Sequence, residues 1–108
     1  MLSNSISVND IITIKLISGE EIIAKYIEQD VSTLTVSKPL LLAQQGNGMI
    51  LAPYILTAEK ADNIKFFVSA ISTFPTKTQP QVKMKYIEFT TGITTSPAAG
   101  NVSSLITD

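Results

Sequence analysis

The sequence predicts a mainly β domain, built as an antiparallel meander and followed by one C-terminal helix. Apolar and polar residues alternate with a period of two through most of residues 11–74, which is typical of half-buried strands. Glycines or Asp/Ser clusters interrupt the alternation where tight turns are expected. From residue 80 the period becomes that of an amphipathic helix. With 108 residues, 44% of them apolar, the chain can bury one core.

The first three strands are predicted at residues 11–17, 21–28 and 33–38. Gly19 permits the first turn because glycine adopts positive φ at little steric cost. The second turn falls in the polar segment 28–32. After the third strand, the chain is expected to continue extended around a bend at Pro39 as far as Gln44, since proline cannot donate to a strand ladder.

Two further strands complete the predicted meander, at 49–58 and 64–73, after a turn signal at 45–48. Pro53 lies inside the fourth strand, where it implies a bulge, a bend or an edge position. Both strands carry few charges and are therefore poorly protected as free edges. We expect these edges to be blunted or paired with another subunit.

The helix is predicted at residues 80–91. One apolar stripe runs along it at i, i+4 and i+7: Val82, Tyr86 and Phe89. Thr78 or Gln79 suits the N-cap, Pro80 suits the first turn, and Gly92 suits the position after the last turn. Residues 11–92 thus form one predicted domain, between an N-terminal arm at 1–10 and a polar tail at 93–108 that we expect to be flexible.

Composition excludes several kinds of site. The chain has no cysteine and no histidine, so it can build neither the usual zinc site nor a nucleophile–imidazole pair. We predict no catalytic residue, no metal ligand and no cofactor, and therefore a non-enzymatic protein. The apolar runs are shorter than the ~20 residues that span a bilayer, and no secretory signal is visible. We expect no membrane partner and a cytoplasmic location.

Charge argues against a strong polyanion binder. Eight lysines face nine acidic residues, which gives a net charge of −1, and there is no arginine to make bidentate phosphate or base contacts. The lysines are scattered through the sequence. Binding of a nucleic acid would require a local concentration of lysines, or their repetition around a ring.

The order of strands and turns resembles the Sm-like (LSm) proteins. Gly19 matches the glycine between the first two strands of that family, Ile22 matches an apolar site three residues later, and Asp30 matches the acidic residue that opens the next turn. The chain bears a closer resemblance to the small Sm-like proteins of marine T4-type bacteriophages than to the general pattern of the family. It shares with them the motifs Ser18-Gly19-Glu20-Glu21, Lys38-Pro39, Gly46-Asn47-Gly48 and Pro53-Tyr54.

This resemblance covers roughly residues 10–92. It implies a small five-stranded, bent antiparallel barrel of the SH3 type with a C-terminal helix. It further implies a homo-oligomeric ring, in which the fourth strand of one subunit pairs with the fifth strand of the next. For a phage-encoded protein, the compartment would be the cytoplasm of the host cell.

The function that the resemblance implies is binding of single-stranded nucleic acid, with RNA expected before DNA, and a role in RNA or DNA processing. Lys60 and Lys65 are the predicted phosphate contacts. The predicted base side is formed by Asp30, Ser32, Thr33 and Asn63.

The alternative hypothesis is a phage structural or adaptor protein that uses the barrel as an oligomerising scaffold. The Arg-Gly-Asp or Arg-Gly-Asn turn of the family is missing, and residues 59–63 stand in its place. Thr33 precedes Leu34, at the position where the family often has the Asn of an Asn–apolar pair. The lack of arginine and the near-neutral charge also favour this alternative.

Overall fold

The computed structural model describes residues 5–92. Its elements follow in chain order as β1 (Ile11–Lys15), β2 (Glu21–Gln29), β3 (Thr33–Gln45), β4 (Gly48–Pro53), β5 (Ile64–Phe67), β6 (Thr76–Lys77) and α1 (Pro80–Thr91). A 3₁₀ turn, Val68–Ala70, follows β5. The mainly β fold with one C-terminal helix is confirmed. The predicted tail at 93–108, and residues 1–4 of the predicted arm, lie outside the described residues.

The strands form one antiparallel sheet in the order β4-β3-β2-β1-β6, and β5 also pairs with β3. β3 is long because the chain continues extended past Pro39, as expected. Two strands lie end to end along its outer edge. β4 pairs with residues 40–45 of β3, and β5 pairs with residues 33–36.

The fourth and fifth strands are shorter than predicted. β4 ends at Pro53, which sits on an edge strand where its missing N–H is tolerated. β5 ends at Phe67, because the next residue, Val68, turns away and donates its N–H to the carbonyl of Ser32 at 2.8 Å. The chain then reaches the segment that follows β1, where the N–H of Ile17 donates to the carbonyl of Ala70 at 2.9 Å. The chain therefore passes from β5, at the edge of β3, back to the end of β1. This connection curls the sheet around its inner face.

A β-bulge at Lys38 divides β3 into two halves. Ile23 of β2 lies opposite Leu40, and Lys25 lies opposite Ser37, so β3 has one residue more than β2 between these pairs. The bulge is centred on Lys38, whose backbone has a left-handed φ of 51°. One inserted residue moves every following side chain to the other face of the strand. Leu40 therefore points away from the face that Val36 occupies.

Two hydrophobic cores result, one on each face of the sheet. The inner core is enclosed by the curled sheet and contains Ile12, Ile14, Leu16, Ile22, Ala24, Leu34, Val36 and Phe66. The outer core lies under α1 and contains Ile11, Ile23, Leu40, Leu51 and Tyr86. Val82 and Phe89 pack against the outer core, so the predicted helical stripe faces the sheet. Gln79 is the N-cap, and Gly92 ends the helix with a φ of 73°.

Tyr86 ties the helix to the bulge. Its side chain is fully buried, and its hydroxyl donates to the backbone carbonyls of Lys38 and Ser37, at 2.8 and 3.1 Å. Burial raises the pKa of the Tyr86 hydroxyl well above its ordinary value, which keeps the group in its donor form. The helix thereby fixes the point at which β3 changes face.

Candidate nucleic-acid interface

The turn between β2 and β3 is organised by one carboxylate. Oδ1 of Asp30 accepts the backbone N–H groups of Ser32 and Thr33, each at 2.8 Å, and the hydroxyl of Thr33 at 3.2 Å. Asp and Ser favour such turns because a short polar side chain can bond the backbone two or three residues on. The N–H of Thr33, followed by that of Ser32, holds the pKa of the Asp30 carboxyl below its usual range.

The edge strand β5 lies directly beside this turn. Thr33 pairs with Phe67, and Thr35 pairs with Lys65. Lys65 is near enough to contribute to the lowered pKa of Asp30. The structure therefore brings together four of the predicted site residues: Asp30, Ser32, Thr33 and Lys65.

The other two predicted residues lie at the opposite end of β5. Asn63 immediately precedes the strand, roughly 13 Å from Phe67 at the usual strand rise. It has a left-handed φ of 56°. Lys60 is exposed in the loop between β4 and β5. The loop that contains them lies against the bulge, since the carbonyl of Ala61 accepts the N–H of Lys38 at 2.6 Å.

The connection that faces Asp30 is therefore the 3₁₀ turn after β5, and not the loop at 59–63. Val68 makes the contact, through its N–H to the carbonyl of Ser32. Sequence reasoning missed this proximity because it extended the fifth strand to residue 73. The sequence carried one signal of an exposed ring at this edge. Adjacent strand residues point to opposite faces, so Phe66 and Phe67 cannot both lie in the core.

Tyr26 and Tyr54 pack against the inner core and do not offer an exposed ring to a base. Tyr26 is half-buried against the inner core. Tyr54 stacks on Phe66 with 5.7 Å between ring centroids and 29° between ring planes. The exposed aromatic rings are instead phenylalanines: 71% of Phe67 and 80% of Phe74 is accessible.

Among residues 5–92, no carboxylate forms an ion pair with Lys60 or Lys65. The ion pair that joins two side chains within residues 5–92 links Lys77 to Asp10, at 4.0 Å and far from β5. Asp62, in the loop before β5, accepts the hydroxyl of Ser37 at 2.8 Å. The nearby carboxylates of Asp30 and Asp62 are thus held by local donors, while the ammonium group of Lys65 faces solvent.

In the described part of the chain, no group of three His, Cys, Asp or Glu side chains is arranged to hold a metal ion. The helix present there is neither long enough nor apolar enough to span a bilayer. Comparison with protein-family models, with curated proteins and with solved structures found no match to this chain.

Proposed function

We propose that the protein binds single-stranded nucleic acid, RNA in the first instance, and does so without catalysis. The observation that carries this proposal is the convergence of the Asp30 turn and the β5 edge, which places Thr33 opposite Phe67 and Thr35 opposite Lys65. The exposed ammonium group of Lys65 can contact a phosphate, and the exposed hydroxyl of Ser32 can contact a sugar or a base edge. The proposed interface thus contains Asp30, Ser32, Thr33 and Lys65, with Lys60 and Asn63 at its far end.

The same proposal extends to the fold and to the assembly. A sheet whose last segments return to β1 is compatible with a bent barrel of the SH3 type, as in Sm-like proteins. Among the described residues, β4 and β5 each pair with β3 alone, so each has a free outer edge. Pairing of these edges between subunits would protect them and repeat Lys65 around a ring.

The test is fluorescence anisotropy of the purified protein with U-rich RNA, A-rich RNA and matched single-stranded DNA, at low and at physiological salt. Saturable binding that persists at physiological salt supports the proposal. Lys60→Glu combined with Lys65→Glu should weaken binding and reduce its salt dependence. The matched control is Lys83→Glu with Lys85→Glu, which makes the same charge change on α1. If both double variants lost the same affinity, the nucleic acid would have to bind at a surface other than the proposed interface.

A second candidate is the structural or adaptor protein, and one observation favours it. Two large apolar side chains at this interface are exposed: Val31 at 95%, in the Asp30 turn, and Phe67 at 71%, opposite Thr33. Clustered apolar exposure is typical of protein contact sites. Co-purification of one stoichiometric protein partner, without bound nucleotide, would favour this candidate over the first.

A further inference from the structure

The outer face of the sheet has a covered part and an open part. α1 covers the part around Leu40 and Ile23, whereas no helix among residues 5–92 covers the part before the bulge. The open part, here called the open face, is built on alternate residues of β3 and their strand neighbours: Thr33, Thr35, Ser37, Lys25, Glu28, Lys65 and Phe67. Thr35 and Ser37 are buried, so the surface of the open face is formed mainly by its longer side chains.

Phe67 is the aromatic group of the open face. Its neighbour Phe66 points into the inner core and is 8% exposed, whereas Phe67 points outward and is 71% exposed. The residue opposite is Thr33, which is too small to cover the ring. An apolar ring left in water forgoes the favourable free energy of burial, so a ligand that stacks on it gains that energy on binding.

Charges of both signs surround Phe67, but its neighbour on the same face of β5 is a lysine. Lys65 lies two residues earlier on β5, on the same face and about 7 Å away at strand spacing. Lys25, across β3, makes no ion pair with another described residue. The carboxylate of Asp30 is engaged by three local hydrogen bonds. Glu28 is the exposed acidic residue of the face, and it opposes an anion.

We infer that Phe67 is a stacking platform for one unpaired base, with Lys65 contacting the phosphate of the same nucleotide. The inference rests on the proposed function, which it deepens by naming the group that holds a base. Stacking uses the π-face that every base has, so this subsite tolerates any base and adds affinity without sequence preference. It also explains why an aromatic ring is exposed next to a lysine on a strand with few polar residues.

The absence of tryptophan in this chain permits a direct test. Phe67→Trp introduces a single tryptophan at the platform, and Phe74→Trp introduces one at a phenylalanine of similar exposure that lies off the open face. With a short single-stranded RNA, the fluorescence of the Phe67→Trp variant should be strongly quenched at saturation, while that of the Phe74→Trp variant should change little. The quenching should be equal for U-rich and A-rich strands once each is saturated.

Affinity provides the second measurement. Phe67→Leu keeps an apolar side chain but removes the π-face, and should raise Kd by about 5- to 150-fold, the range for loss of one stacked base. Phe74→Leu should leave Kd within about twofold. Glu28→Gln should lower Kd modestly at low salt, because it removes the acid from the face.

The outcomes separate the inference from the proposed function. If wild-type protein binds RNA but Phe67→Leu binds equally well, or Phe67→Trp is quenched no more than Phe74→Trp, the platform is wrong and the function stands. If the wild-type protein binds no RNA or DNA at low salt, both are wrong. Circular dichroism of each variant checks that the fold is retained, which is expected because Phe67 is outside both cores.

Discussion

The two halves of β3 belong to the same strand but have different neighbours on the outer face. After the bulge, Leu40 is 4% exposed and packs in the outer core with Tyr86. Before the bulge, Thr33, Thr35 and Ser37 occupy that face, and exposed Lys65 and Phe67 lie alongside. The covered half is apolar and supports stability. The open half is polar or aromatic, and its exposed groups contribute little to the fold, which leaves them available for binding.

The largest effect is expected from the two adjacent phenylalanines of β5. Phe66→Ala should lower the free energy of unfolding by about 3–5 kcal/mol, because it leaves a cavity in the inner core and removes the ring on which Tyr54 stacks. Phe67→Ala should lower it by less than about 1 kcal/mol, as expected for an exposed strand position. Urea denaturation of both variants measures the difference. Similar losses would mean that Phe67 is buried by a neighbouring subunit.

A smaller effect is expected where the helix meets the bulge. Tyr86→Phe keeps the buried ring but removes the donor to the carbonyls of Lys38 and Ser37. The free energy of unfolding should fall by about 0.5–1.5 kcal/mol, the usual contribution of one hydrogen bond. A loss of several kcal/mol would indicate that the bulge itself is disrupted.

The same variant should alter the pH dependence of stability. Because the folded pKa of Tyr86 is raised, the unfolded state ionises first, near pH ~10, while the folded state stays protonated. The contribution of Tyr86 is therefore fully present below pH ~10 and declines above it. Wild-type protein should lose more stability than Tyr86→Phe between about pH 8 and about pH 10.5, measured by urea denaturation. Parallel losses would exclude this coupling.

The backbone of the bulge allows a still smaller test. Lys38 has a left-handed φ of 51°, which costs an L-residue about 1–2 kcal/mol. Glycine removes that cost but adds about 0.5–1 kcal/mol of unfolded-state entropy. Lys38→Gly should therefore raise the free energy of unfolding by about 0–1.5 kcal/mol, with a central value of about 0.75 kcal/mol. Clear destabilisation would show that the Lys38 side chain contributes contacts of its own.

Periodicity in the sequence predicted the strands of the first half, the helix and its stripe, because these depend on local alternation and on turn residues such as Gly19 and Gly92. The ends of the last two strands could not be predicted in this way. Phe66, Val68 and Ala70 continue the spacing of a strand past Phe67, and the turn there depends on a distant contact, from the N–H of Val68 to the carbonyl of Ser32. The same nonlocal contact decides which predicted site residues meet, so Lys65 joins Asp30 while Lys60 and Asn63 do not.

The smallest expected effect concerns Asp30. Its folded pKa is lowered, so its contribution to stability is present above the ordinary carboxyl pKa of about 4 and is lost as the pH falls through the lowered value. Asp30→Asn should be less stable than wild type at neutral pH, and the difference should vanish at low pH. Glu59→Gln, at an exposed position in the loop after β4, is the control.

RNA affinity then decides what Asp30 does in the interface. If the carboxylate only shapes the turn, Asp30→Asn should bind RNA at neutral pH as well as wild type or better, because a negative charge near Lys65 has been removed. If the carboxylate contacts a base, affinity should fall even though the amide can still accept the N–H of Thr33. Oδ1 accepts three hydrogen bonds from Ser32 and Thr33, and the carboxylate charge opposes a phosphate. We therefore expect the first result, in which Asp30 shapes the turn.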